Sequence, residues 1–136
     1  MDNERLGRWW MVFAGVSLIG AGLLGFVAGN PIASADPNAL FRVNTVHNIV
    51  HIATGVLALW IGLGMRGYSL STGLIGYGVL YAVVAVLLVV DPTLFGLFSD
   101  APTNAADHLL HAALAIVSIG LGWMLRGSGS TQAMAR

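Results

Sequence analysis

The chain has 136 residues, of which 57% are hydrophobic and only 9% charged, with six basic and six acidic side chains and a net charge of +0. A soluble domain carries roughly 25% charged residues, so this chain has too little charge to cover a water-facing surface, and its solvent is lipid. The absence of cysteine excludes disulfides, thiolate metal sites and iron–sulfur clusters, and the charge balance gives a nucleic-acid partner no electrostatic support.

Four stretches lack charge: between Arg8 and Asp36, Arg42 and Arg66, Arg66 and Asp91, and Asp107 and Arg126. Each holds about 18 residues or more, near what a bilayer core requires. Backbone groups in lipid must bond internally, which predicts helices rather than strands. The predicted spans are 9–29, 44–65, 72–90 and 104–125. The breaks are Gly29-Asn30-Pro31, then Gly67 with Ser69 and Ser71, then Asp91-Pro92. The fold class is therefore all-α: a four-transmembrane-helix bundle, one domain over 1–127, followed by a flexible tail at 128–136.

The first span resembles a signal peptide, with arginines, an apolar run and then Ala33-Ser34-Ala35. Its apolar run exceeds the 7–15 residues of a signal core, so a retained helix is expected. It carries a glycine face at Gly15, Gly22, Gly25 and Gly29, which reads as ordinary membrane packing. Trp9, Trp10, Trp60 and Trp123 sit near span ends and read as interfacial anchors.

The second span opens Asn44-Thr45-Val46-His47-Asn48-Ile49-Val50-His51 and runs apolar to Arg66-Gly67. The fourth opens Asn104-Ala105-Ala106-Asp107-His108-Leu109-Leu110-His111 and runs apolar to Arg126-Gly127. Asn44, His51, Gly62 and Arg66 recur sixty positions later as Asn104, His111, Gly122 and Arg126. This is a tandem repeat of helical hairpins, about 9–67 and 68–127. It predicts a pseudo-two-fold along the membrane normal with the second and fourth helices as partners across it. Small residues at Gly55, Ala58 and Gly62, and at Ala115, Ser118 and Gly122, would let those two backbones approach.

Arg5, Arg8, Arg66, Arg126 and Arg136 fall on one side, and only Arg42 on the other. The positive-inside rule then puts both termini in the cytoplasm and the histidines near the outer face.

All four histidines lie in the two repeated openings. Three readings are open. His47, His51, Asp107, His108 and His111 could hold a divalent metal ion (Zn²⁺, Cu²⁺ or Fe²⁺), because residues at i and i+4 point the same way. His51 and His111 could instead ligate a b-type haem, with Gly55 making room for the ring. Or the cluster could be a hydrogen-bonded clasp between helices, the common use of polar groups in membranes. Asn44 and Asn104 are natural helix caps, and Asn48 could orient a ring. Met65 and Met124 lie at the far end, which weakens a Cu⁺ path. Ser17, Thr54 and Ser118 are single hydroxyls that would bond back to their own helices. No nucleophile–base–orienter set is present, so the chain reads as a non-enzyme, the alternative being a haem-carrying or metal-dependent membrane redox and electron-transfer protein. It would be an accessory subunit of a larger membrane assembly, or a homo-oligomer, in the bilayer.

The stretch Phe41-Arg42-Val43-Asn44-Thr45-Val46-His47-Asn48-Ile49-Val50-His51-Ile52-Ala53-Thr54-Gly55, with Asp107-His108-Leu109-Leu110-His111, resembles a family of small bacterial membrane proteins catalogued as domain of unknown function 4383. The resemblance implies four spans and a membrane location, and no activity, ligand or partner.

Overall fold

The computed structural model describes residues 2–134, with side chains through Gly127. Its helices are α1 (Asn3–Leu24), α2 (Thr45–Gly64), α3 (Gly67–Val90) and α4 (Ala105–Met134). All four are long and apolar enough to cross a membrane. The chain is an all-α, multi-pass membrane protein. Two short parallel strands, β1 (Ala33–Ser34) and β2 (Phe41–Arg42), lie in the α1–α2 connection. They fall outside the spans, where water can satisfy an open edge.

Helix ends differ from the predicted ones for local reasons. α1 starts six residues early because Asp2 caps it, accepting from the Arg5 amide at 2.7 Å. It stops at Leu24 because Asn30 turns the chain back. The Asn30 amide donates to the Leu24, Val27 and Ala33 carbonyls at 2.7–2.8 Å. α3 starts at Gly67, not 72. The Ser69 hydroxyl donates to the Arg66 carbonyl at 2.7 Å, and Glu4 accepts from the Gly67 amide at 3.1 Å. The serines read as breakers are thus a cap and, at Ser71, a link to the Gly122 carbonyl at 2.8 Å. α4 runs through Met134, so residues 128–134 are helical where their composition predicts a loose tail. Ala135 and Arg136 lie outside the described residues.

The two hairpins are zipped by equivalent contacts. A Cβ on Gly15 would lie 2.8 Å from the Gly55 carbonyl and 2.7 Å from Leu59. A Cβ on Gly78 would lie 2.8 Å from the Ala115 carbonyl and 2.7 Å from Ile119. Gly62 repeats this against Arg8 and Met11, and Gly122 against Ser71 and Ile75. Residues 55, 59 and 62 match 115, 119 and 122 at the sixty-residue offset read from sequence.

These contacts overturn one expectation. The small faces of α2 and α4 do not meet each other; each is used on the preceding helix of its own hairpin. Among the described residues, the α2 and α4 backbones stay more than 8 Å apart. α1 reaches across instead and packs on α3 and α4. Its Trp10 is not an interfacial anchor: it turns inward and donates to Ser118 Oγ at 2.8 Å. Trp9, Trp60 and Trp123 are exposed, as anchors should be. The interior between hairpins holds Met11, Leu18, Leu74, Tyr77, Tyr81 and Leu114.

Close backbone approach makes a testable contrast. Gly78→Ala should lower thermal stability in detergent, by about 1–3 kcal/mol of overpacking, because backbone atoms cannot yield. Gly76→Ala, two residues away with nothing within 4 Å of its Cβ position, should be neutral or slightly stabilising. Equal melting temperatures for the two variants would refute the packing account.

Candidate metal centre

Both histidine-bearing helices begin with the same device. The Asn44 side chain accepts from the His47 amide at 2.9 Å, and the Asn104 side chain accepts from the Asp107 amide at 3.1 Å. Each asparagine also reaches the other repeat. Asn44 Nδ2 donates to the Leu97 carbonyl at 2.9 Å and to Asp100 at 2.6 Å. Asn104 Nδ2 donates to the Leu40 carbonyl at 3.0 Å and the Ala39 carbonyl at 3.3 Å. The clasp between repeats is therefore made by the helix-capping asparagines.

The repeats then diverge, with His47 and Asn48 in the first where the second has Asp107 and His108. Asp107 returns the cap, accepting from the Asn104 amide at 2.9 Å, a reciprocal box with the same oxygen also taking the Arg42 amide at 3.2 Å. His47, its counterpart, has an imidazole that makes no such return, and the ring turns inward. It stacks on Phe98 at 4.6 Å between centroids and 12° between planes. Its centroid lies 4.3 Å from that of His51 and 5.9 Å from that of His111. His51 and His111 are 6.2 Å apart.

Three imidazoles thus converge, two from α2 and one from α4. Each offers a ring nitrogen within 4.8 Å of the others, and all three residues are about 2% exposed. Both nitrogens of His51, and Nδ1 of His47 and of His111, are buried without a hydrogen-bond partner. Long side chains bridge the gap that the two backbones leave.

Asp107 and His108, expected among the ligands, fall outside this trio. Asp107 shares a helix face with His111 but lies one turn outward, where its carboxylate holds β2 and the cap. His108 is rotated about 100° from Asp107, since adjacent helical residues diverge by that angle; it is half-buried. Asn48 faces α1 rather than a ring: it lies against Gly25, whose missing side chain makes its place. The room expected beside Gly55 for a haem is taken by Ile19 and the Gly15 carbonyl, 2.8 and 2.9 Å from the Cβ position.

Two aromatic residues complete the surroundings: Tyr81, which the sequence did not single out, and Phe98, whose loop position and apolar character suggest a residue that lies along the bilayer surface or caps the bundle. Tyr81 stacks on His111 at 5.6 Å, and its hydroxyl meets Thr54 Oγ1 at 2.8 Å. Thr54 does bond back to Val50, as expected, yet also ties α2 to α3. Phe98 lies in the α3–α4 connection, a loop with Leu94 and Phe95 at φ 46° and 56°. The only available signal for Tyr81 was a tyrosine pair, Tyr77 and Tyr81, at i and i+4 inside an apolar span.

A buried three-histidine cluster in a bundle of two tandem hairpins defines the class: a four-span membrane protein with a candidate metal site at one end. A family model described as Domain of unknown function (DUF4383) matches residues 8–124. The chain belongs to that family. No curated protein and no solved structure matches it.

The loop that carries Phe98 offers a pH test. Asp91 accepts from the Thr93 hydroxyl at 2.7 Å and from the Thr93 and Phe95 amides at 2.9 and 2.8 Å. These bonds favour the carboxylate and hold its pKa below the ordinary 3.8. A depressed pKa contributes stability that is fully present above 3.8 and lost as pH falls through the folded value. Carbon-detected NMR of the Asp91 carboxyl should show a midpoint below 3.8. Asp91→Asn should speed amide exchange at Phe95 and Phe98 at neutral pH. A normal midpoint would remove the loop's anchor from this account.

Proposed function

We propose that this protein is a non-enzymatic small membrane protein that holds a divalent metal ion, Zn²⁺, Cu²⁺ or Fe²⁺, on His47, His51 and His111. The observation that carries this reading is the convergence of three buried imidazoles, with both nitrogens of His51 and Nδ1 of His47 and of His111 lacking a hydrogen-bond partner. Imidazole binds metals in its neutral form, and three histidines with an open fourth position are a common zinc arrangement. Tetrahedral ligation needs ligand atoms about 3.4 Å apart, given metal–nitrogen bonds near 2.1 Å. Small ring rotations from 4.8 Å reach that distance. Buried polar atoms rarely stay unpaired, and an ion would satisfy them together.

A pure histidine clasp draws less support. A clasp needs ring-to-ring or ring-to-backbone bonds, and neither His51 nitrogen makes one. The asparagines already fasten the repeats. The equivalent glycine contacts of the hairpins support a pseudo-two-fold along the membrane normal. The arginine distribution supports cytoplasmic termini in the inner membrane and a metal end facing outward. The exposed apolar face and the confinement of polar chemistry to one end support an accessory role in a larger membrane assembly.

The test is metal analysis of protein purified after growth with added Zn²⁺, Cu²⁺ and Fe²⁺. The wild type should carry roughly one ion per chain, stabilising the folded state that binds it. His51→Ala should carry almost none and melt lower. Asp107→Asn and His108→Ala should keep the ion, since neither belongs to the trio. Acid should release it, because protons compete with the ion for the imidazole nitrogens. Equal, near-zero occupancy in wild type and His51→Ala would overturn the metal reading.

A further inference from the structure

The three imidazoles also line a cavity of about 110 Å³ between α2 and α3. Its remaining wall is Val50, Leu80, Val84, Leu88 and Leu94, with the paired hydroxyls of Thr54 and Tyr81. Toward the loops the wall is Phe98, 3% exposed and stacked on His47. The side toward lipid is different. Val50 and Leu80 are 43% and 41% exposed, and α2 and α3 touch little along their lengths. Entry is therefore lateral, from the bilayer.

We propose that this cavity binds a small, uncharged, membrane-soluble ring compound whose lone-pair donor atom completes the coordination of the ion on His47, His51 and His111. This rests on the metal reading above. Three protein ligands leave a fourth position, and an ion bound by rings that line the cavity borders that cavity. The size suits one small ring: an apolar cavity of about 150 Å³ accepts benzene. The aliphatic walls favour an apolar ring, while a divalent ion on three neutral imidazoles would itself attract an anion, so cavity shape rather than charge selects the ligand. The Thr54–Tyr81 pair offers one hydrogen bond to orient a polar edge of the ring.

The experiment uses the full chain in nanodiscs, loaded with Co²⁺ as a spectroscopic replacement. The probes are 4-methylpyrazole, neutral at pH 7.5, and azide, an anion of small size. The Co²⁺ bands should shift saturably with 4-methylpyrazole, and filling the cavity should weaken 4-methylpyrazole far more than azide, which needs little of the cavity. Val84→Phe fills the cavity without touching a metal ligand. It should keep the unliganded Co²⁺ spectrum, which also reports a folded site, and bind 4-methylpyrazole at least about tenfold more weakly, a loss of about 1.4 kcal/mol. No shift with 4-methylpyrazole, or an equal loss of 4-methylpyrazole and azide binding in Val84→Phe, would overturn the cavity inference while leaving the metal site intact. Absence of Co²⁺ bands from the wild type would overturn the metal reading and this inference with it.

Discussion

The structure depends on backbone-to-backbone contact inside each hairpin. Lipid gives helices no hydrophobic reason to associate, so they hold together where small residues allow many atoms to touch. Gly15 on Gly55, Gly22 on Asn48 and Gly78 on Ala115 are points of close approach. Once α2 is committed to α1, and α4 to α3, neither has a small face left for the other. The space between α2 and α4 must be bridged by something longer than a glycine contact. Imidazole rings bridge it at one end, and the Trp10–Ser118 bond links the hairpins elsewhere.

This geometry explains why the polar groups divide their work. The asparagines at both helix starts sit at the level of the loops, and each ties down the opposite connection while capping its own helix. Interhelical hydrogen bonds in membranes average only about 0.6 kcal/mol, so no single one secures the arrangement. The histidines lie deeper, with unpaired nitrogens surrounded by aromatic rings and aliphatic walls. A group of this kind is costly to keep unless it has a partner, which is the physical basis for reading it as a ligand set.

The repeat is informative where it fails. His51 and His111 match, whereas His47 stands where the second repeat has Asp107. The aspartate closes a reciprocal cap and anchors β2. The histidine stacks on Phe98 and turns toward the other two rings. A single substitution between copies converts a structural position into a third imidazole of the cluster. Duplication supplies two helices that open alike; divergence at one site supplies the third donor.

Four spans, their hairpin order and the gathering of histidines at one end were legible in the sequence, because charge-free length and repeated motifs depend on local composition alone. The Asn44 and Asn104 caps were legible for the same reason. The partners of each face were not. Helical periodicity places His47, His51, Gly55 and Gly62 on related faces of α2, but nothing in that spacing says which helix the glycines meet. Tertiary packing decided that they meet α1, that Asn48 turns to Gly25, and that Asp107 serves a cap rather than the trio. It also brought in Tyr81 from α3 and Phe98 from a loop, residues that lie on neither histidine-bearing helix. Chain order carries information about neighbours along a helix; only the competition among helices for close contact determines which side chains are left to meet across the gap.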